Sequence, residues 1–330
     1  MRYRRSEVNV LSEAILEAHN ITRRFRIDGG KTLTACENVS LSLYRGRTLG
    51  LVGESGCGKS TFMKLVMGLD KPTGGEILFR GKDIAKMRGK EMHEMRQHIQ
   101  MVFQDPSSSL NPKMKIRDII CEPLRNYGRI KHAEKKDAAA DLLEMVELPP
   151  EFADRYPENM SIGQRQRAAI ARAIALEPDI IIMDEATCSL DVSVQKSIIG
   201  LITRLQREKN ISIGFICHNL PLVQSFAHEI AVMYLGNIVE VIPGADISEK
   251  CLHPYTRALL GAVFDINSER GRKIECIKGE PPSPLNIPAG CPFCDRCEHC
   301  TEKCRSEKPM LKNVSENHKV ACHLYGGDLE

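Results

Sequence analysis

Residues 53–61 read GESGCGKST, a G-x-x-x-x-G-K-[ST] spacing suited to holding a phosphate. Glycines at 53, 56 and 58 let backbone N–H groups and a helix N-terminus close around an anion. Lys59 is placed to reach the β- and γ-phosphates of a nucleotide, and the Ser60 hydroxyl to meet Mg²⁺. Glu54, Ser55, Cys57 and Thr61 complete the loop. Farther on, four apolar residues end at Asp184, with Glu185 next. A buried strand that delivers Asp184 to its carboxyl end offers a carboxylate to Mg²⁺, and Glu185 is positioned to take a proton from an attacking water. Gln104 and His218 end two further apolar runs. Singly, these are a loop glutamine, a core histidine and an acidic turn. Together, beside a phosphate loop, they converge where ligands bind in open α/β sheets.

Those side chains need elements to carry them. The apolar run through Val52 reads as a strand, followed by a glycine-rich turn and a helix from about Lys59. Residues 100–104 read as a second buried strand, running into the turn formers DPSSSLNP. The pattern over 116–157 is helical and charged, and QRQRAAIARAIAL at 164–176 predicts a helix with an apolar stripe and an arginine-bearing face. Strand-like runs follow at 180–183, 211–217 and 230–234, the last turning at Gly236-Asn237 into 238–241. Alternation of this kind predicts an α/β fold with a largely parallel sheet covered on both faces. Beyond Pro243 the texture changes, with Pro254, Pro281, Pro282, Pro284 and Pro288 leading into a cysteine cluster. A boundary is expected near 245, giving domains 1–245 and 246–330, with no internal repeat.

Composition excludes several classes. The charge balance is 46 basic minus 43 acidic residues, or +3, too mild for nucleic acid or an anionic membrane surface as the main partner. At 42% apolar and 27% charged residues the chain reads as globular. It has no apolar stretch of the ~18 residues that a spanning helix needs. Met1 to Arg5 is basic, but Ser6, Glu7 and Asn9 follow, so a signal peptide is not expected and a non-secreted protein is.

Of 13 cysteines, seven (Cys36, Cys57, Cys121, Cys188, Cys217, Cys251, Cys276) are scattered and read as small core hydrophobes in a reducing compartment. The other six fall between 291 and 322, and such crowding points to a metal rather than to disulfides. Cys291-x-x-Cys294 and Cys297-x-x-Cys300 resemble zinc knuckles, although only two residues separate the pairs. Positions 294, 297, 300 and 304 also match the C-x₂-C-x₂-C-x₃-C run of ferredoxins, with Arg305 where proline would follow. By spacing, zinc and iron–sulfur both stay open.

SIGQRQRAAIARAI at 161–174, lying between Gln104 and Asp184, resembles the signature motif and helix of ABC (ATP-binding cassette) ATPases. The resemblance extends to about residue 245. It implies a P-loop cassette with a RecA-like core, a helical subdomain at about 105–160 and an antiparallel β subdomain. It also implies that Phe25 stacks on adenine and that Gln104, linking nucleotide to permease, joins Ser60 and Asp184 at Mg²⁺. Asp191 would belong to the loop crossing a head-to-tail dimer interface, and His218 would face the γ-phosphate. Ser161, Gly163 and Gln164 would serve the partner's ATP. The catalytic set is then Glu185, His218, Lys59 and Gln104.

The chain departs from the family's usual LSGGQ at Ile162. A β-branched residue disfavours positive φ and adds bulk near phosphate, so the composite site using this signature is expected to be the weaker one. Ala186 and Asn219 replace a frequent proline and aspartate without touching a catalytic atom.

FQDPSSSLNP at 103–112, SLDVSVQ at 189–195, HPYTRALL at 253–260 and GEPPSPLNIPAGC at 279–291 resemble the dipeptide and oligopeptide importer branch. That resemblance implies one [4Fe–4S] cluster on Cys291, Cys297, Cys304 and Cys322, leaving Cys294 and Cys300 spare. It further implies a sister ABC ATPase in a heterodimer, two transmembrane permease subunits and an extracytoplasmic solute-binding protein. The chain would sit at the cytoplasmic face of the membrane through the permeases, with no nucleic-acid partner. Importers of nickel or other peptide-like solutes share these motifs. A soluble iron–sulfur ABC ATPase acting on ribosome or DNA is disfavoured by the single phosphate loop and the lack of a heptad insertion. A non-hydrolysing regulatory half is disfavoured by Glu185 and His218.

Overall fold

The apolar runs that lack alternation become the centre of the molecule. A computed structural model describes residues 13–188, 190–261, 279–280, 282–283, 285 and 287–325. Cys276, Pro281, Pro284 and the basic start lie outside them. The strands are β1 (Ala14–Arg26), β2 (Thr32–Tyr44), β3 (Thr48–Val52), β4 (Gly74–Phe79), β5 (Lys82–Asp83) and β6 (Ile99–Val102). They continue with β7 (Ile180–Asp184), β8 (Ser212–Cys217), β9 (Glu229–Tyr234), β10 (Asn237–Pro243), β11 (Lys312–Ser315) and β12 (His318–Val320). One sheet has the order β11-β12-β10-β9-β3-β8-β7-β6, with β9, β3, β8, β7 and β6 parallel. The second is antiparallel, β2-β1-β4-β5. Every residue of β3 and β8 is buried, as expected for parallel strands covered on both faces.

Alternate side chains of the large sheet enter two cores. Leu51, Ile182 and Ile216 pack with the helix Lys59–Val66 and the antiparallel sheet, through Phe62, Leu65, Ile21 and Val39. Val52, Met183 and Phe215 face the other layer. There the helices Ile116–Ile120, Lys135–Met145 and Ile162–Ile174 bury Ile119, Leu143 and Ile170.

The segment after residue 245 continues this second core. Tyr255, Cys291, Phe293 and Cys304 belong to it, and β12 pairs with β10 at Glu240↔Val320 and Val241↔Lys319. The fully buried Glu240 carboxylate lies 2.8 Å from His318 Nε2 and accepts the Leu252 and His253 amides at 2.6 and 3.2 Å. A buried carboxyl group is tolerated only when its polar atoms are partnered in this way.

Asp179, one residue before β7, joins the two sheets. Its carboxylate takes Arg45 at 3.1 Å, Arg80 at 2.5 Å and His98 at 2.8 Å. Burial would raise this carboxyl, but hydrogen bonds from Arg80 and Arg45 outweigh it and hold the pKa below the usual carboxylate range. A depressed native pKa stabilises fully above the unfolded value, and the gain fades as pH falls through the native one. Asp179→Asn should therefore lower stability in urea unfolding at pH 7 by roughly 2–3 kcal/mol, with the gap to wild type closing as the pH falls below the usual carboxylate range. A gap that is constant with pH would contradict this role.

Candidate functional site

Strand register sets the site. Val52 lies opposite Cys217, Ile216 opposite Asp184, and Met183 opposite Val102, so four parallel strands end within two residues of one another. The residues that follow them are the phosphate loop, His218, Glu185 and the Phe103–Gln104 pair. In the loop, Gly56 has φ 77° and Gly58 has φ 111°. A Cβ at Gly58 would stand 2.1 Å from the Ala35 carbonyl of β2, so only glycine lets the loop pass there. Lys59 is buried, and its Nζ donates to the Gly53 and Glu54 carbonyls, each at 2.8 Å.

Ser60 Oγ donates to Asp184 Oδ1 at 3.4 Å, bringing two of the three expected Mg²⁺ ligands together. Burial, then the adjacent Glu185, raises the Asp184 carboxyl above its ordinary value. Two adjacent oxygens with excess negative charge suit a hard divalent cation.

Glu185 has φ 46°, a left-handed backbone that costs a non-glycine residue of order 1–3 kcal/mol. Its amide donates to the Ile216 carbonyl of β8 at 3.1 Å, which holds that conformation. The carboxylate then lies 3.6 Å from His218 Nδ1, with Glu185 mostly buried and His218 exposed. Cys188 Sγ lies 3.8 Å from the same His218 nitrogen and 3.9 Å from Cys217 Sγ. Among the described residues, Glu185, Cys188 and His218 are the one group of three ligand-type side chains closing within 4.8 Å. From sequence, Cys188 reads as a small core hydrophobe, whereas here it is half-buried beside His218.

Gln104 stands exposed two residues past β6, after Phe103, itself 44% exposed. Phe25 lies on β1 opposite Leu33, two residues before the Ala35 that borders Gly58. Its ring carries the Arg23 guanidinium at 4.3 Å.

The signature forms a helix N-terminus. Ser161 Oγ accepts the Gln164 amide at 3.3 Å, and Gln164 Oε1 accepts the Ser161 amide at 2.9 Å, a reciprocal capping box. A Cβ at Gly163 would stand 2.8 Å from Val194 Cγ1, so this helix seats closely on the helix Val192–Lys209. Asp191 caps that second helix through the Ser193 and Val194 amides, each at 3.0 Å, and Val192 beside it is 81% exposed. Ile162 requires a correction. It is the first residue of its helix and is not among the residues of positive φ, so the expected backbone strain is absent. Only its bulk distinguishes it from glycine.

In the tail, Cys291, Cys294, Cys297, Cys304 and Cys322 line one cavity with His253, His299 and His323. Burial pushes the Cys291 thiol up to about 12, and the neighbouring Cys304 and Cys322 add to the shift. No three of these thiols close within 4.8 Å. A zinc ion, with Zn–S near 2.3 Å, would draw tetrahedral sulfurs to about 3.8 Å of each other. Sequence reading missed where this cavity sits. Arg296, between Cys294 and Cys297, donates to both oxygens of Glu54 in the phosphate loop, at 2.8 and 3.0 Å. No spacing rule signals a pair so far apart in the chain.

Comparison with known proteins adds two family matches: ABC transporter over residues 36–188, and oligopeptide/dipeptide transporter C-terminal region over 239–304. The oligopeptide transport ATP-binding protein OppF of Salmonella typhimurium is 43% identical, covering 94% of this chain and 96% of its own. AppF of Bacillus subtilis, also an oligopeptide transport ATP-binding protein, is 43% identical, covering 95% and 98%. Among solved structures, a dimeric, post-hydrolysis ATP-binding cassette bound to ADP and Pi superposes with TM-score 0.63 at 29% identity, covering 69% of this chain and 98% of that one.

Two outcomes test the site. If Glu185 serves as the general base, Glu185→Gln should lower ATP turnover roughly 10²- to 10⁴-fold while ATP still binds. Equal loss of binding and turnover would remove the base role. Ile162→Gly should raise the turnover of the assembled complex if bulk at the signature weakens one site, and an unchanged rate would dismiss that asymmetry.

Proposed function

Since this chain belongs to the ABC transporter ATPases and carries the oligopeptide/dipeptide transporter C-terminal region, we propose that it energises uptake of di- or oligopeptides through integral permease subunits. The observation that carries the reading is the ending of four parallel strands within two residues of one another, which gathers phosphate loop, carboxylates and histidine at one edge. The loop 53–61 binds the ATP phosphates, and Phe25 stacks on adenine. Ser60 and Asp184, joined by Gln104, would hold Mg²⁺, which neutralises phosphate charge when bound. Glu185 orients and deprotonates the attacking water. His218, close to the Glu185 carboxylate, meets the γ-phosphate and helps to hold that base in place.

Ser161, Gly163 and Gln164 act on ATP held by a sister ATPase, and Asp191 faces the same interface. The heavily exposed Val192 beside Asp191, and the close seating of the two helices through Gly163 and Val194, support a shared contact surface. Closure of this heterodimer around ATP, and reopening after hydrolysis, would drive two permeases fed by an extracytoplasmic solute-binding protein. Exposed Phe103, beside Gln104 and the helical segment 105–160, supports permease docking there. The chain then works at the cytoplasmic face of the membrane, held by its partners; no helix among the described residues is long and apolar enough to cross one.

Cys291, Cys297, Cys304 and Cys322 are proposed to hold a [4Fe–4S] cluster. Their shared cavity supports a metal centre on these thiols, and the resemblance to the importer branch favours the cluster over zinc.

One preparation tests the assembly and the metal separately. Anaerobic affinity purification of the tagged chain from its native membranes should bring two permeases, a second ATPase and a binding protein. The same sample should contain about four iron and four sulfide per chain. Ribosomal or DNA-repair proteins without membrane proteins would overturn the importer, and zinc without iron would overturn the cluster alone.

A further inference from the structure

The loop that must hold phosphate is itself held at Glu54, from three directions. Tyr255 Oη accepts the Glu54 amide at 2.9 Å, Lys59 Nζ takes its carbonyl at 2.8 Å, and Arg296 forks onto its carboxylate. Arg296 is nearly inaccessible, its side chain 6% exposed, and Glu54 is at 26%. Tyr234, its hydroxyl 3.4 Å from Arg296 Nη1, packs on Tyr255 at 4.6 Å and edge-on to Phe293 at 5.3 Å between ring centres. Arg296 ends the turn Cys294–Arg296, whose following residue is Cys297. An unbroken line of packed and hydrogen-bonded groups therefore joins the cysteine cavity to the phosphate loop. A planar guanidinium forked onto a carboxylate fixes direction as well as distance.

The arrangement also answers an electrostatic problem. A carboxylate on an anion-binding loop opposes the incoming phosphates, and Arg296 both neutralises it and turns it toward the tail. Lys59 has to exchange the Gly53 and Glu54 carbonyls for phosphate oxygens when nucleotide binds. Tyr255 and Arg296 then keep Glu54 in place, and both lie after residue 245.

We propose that Arg296 is a positioning residue of the ATP site, through which the state of the cysteine centre sets nucleotide affinity. The first half needs only the ATPase activity. The second half rests on the metal reading given above, so the two are tested by separate readouts.

The experiment uses the full chain in its purified complex, with a fluorescent ATP analogue to read Kd and direct assay of iron. Arg296→Ala should weaken analogue binding roughly 5- to 100-fold with iron content unchanged. Arg296→Lys, which keeps charge but loses the fork, should fall between. Glu54→Gln, which takes away the other half of the fork, should also weaken binding, though less than Arg296→Ala because it leaves no unpaired carboxylate, and Glu54→Gln with Arg296→Ala should bind about as Glu54→Gln does. An equal loss from Arg296→Ala in both backgrounds, or no loss in either, would overturn the positioning role. Loss of iron in Arg296→Ala would likewise overturn it, assigning the effect to collapse of the tail. Removing iron with oxidant and chelator should weaken binding in the wild type but not further in the double variant. If wild-type affinity is indifferent to iron, the coupling is overturned. A chain isolated with no iron overturns the metal half, while the double-variant cycle still decides the first.

Discussion

The site exists because four parallel strands pair in one register. Val52 pairs with Cys217, Asp184 with Ile216 and Val102 with Met183, so the strand ends fall within two residues of one another and every chemical group leaves the sheet at the same edge. A slip of one residue in any strand would exchange its two faces. The two cores forbid that slip. Leu51, Ile182 and Ile216 fit the layer of the phosphate-loop helix, whereas Val52, Met183 and Phe215 fit the helices of the other face. Burial on both sides thus converts an unspecific driving force into a precise alignment of polar groups.

Around this frame, strain is confined to places where the frame can hold it. Gly58 takes its left-handed backbone freely, since no Cβ meets the Ala35 carbonyl. Glu185 adopts a similar backbone at a cost, and the adjoining strand β8 supplies the restraint through the Ile216 carbonyl. The carboxylate is thereby aimed toward His218 instead of following the strand direction. A strained residue beside a fully buried ladder is a common way to pre-organise a reactive group.

Local pattern made the strands, the phosphate loop and the strand-tip residues legible, because each leaves a signal within about ten residues. β7 and β8 stand almost where their apolar runs predict, and the helix after the loop begins at Lys59. Ile162 was misread because a glycine-rich motif suggested positive φ, whereas the helix starts at that residue with ordinary geometry. Asp179 gave no signal, since its partners Arg45, Arg80 and His98 come from separate segments. The texture change after 245 is real in sequence, yet burial carries the core straight through it: Tyr255 and Phe293 pack with residues of the sheet. Composition registers a change of chain character, not a change of core.

The tail is seated by polar side-chain pairs, among them Glu240 with His318 and Glu54 with Arg296. Buried ion pairs seldom add much net stability, because desolvation offsets attraction, but breaking one is costly. Their effect is to make one seating of the tail far better than its neighbours. Aromatic packing of Tyr234, Tyr255 and Phe293 supplies adhesion, and would tolerate small shifts. The Arg296 fork does not tolerate them, since both its nitrogens bond one carboxylate. The cradle is a loop, without a ladder to stiffen it at Glu54. Its geometry when Lys59 turns to phosphate is therefore left to contacts from Tyr255 and Arg296, in the part of the chain that gathers the cysteines.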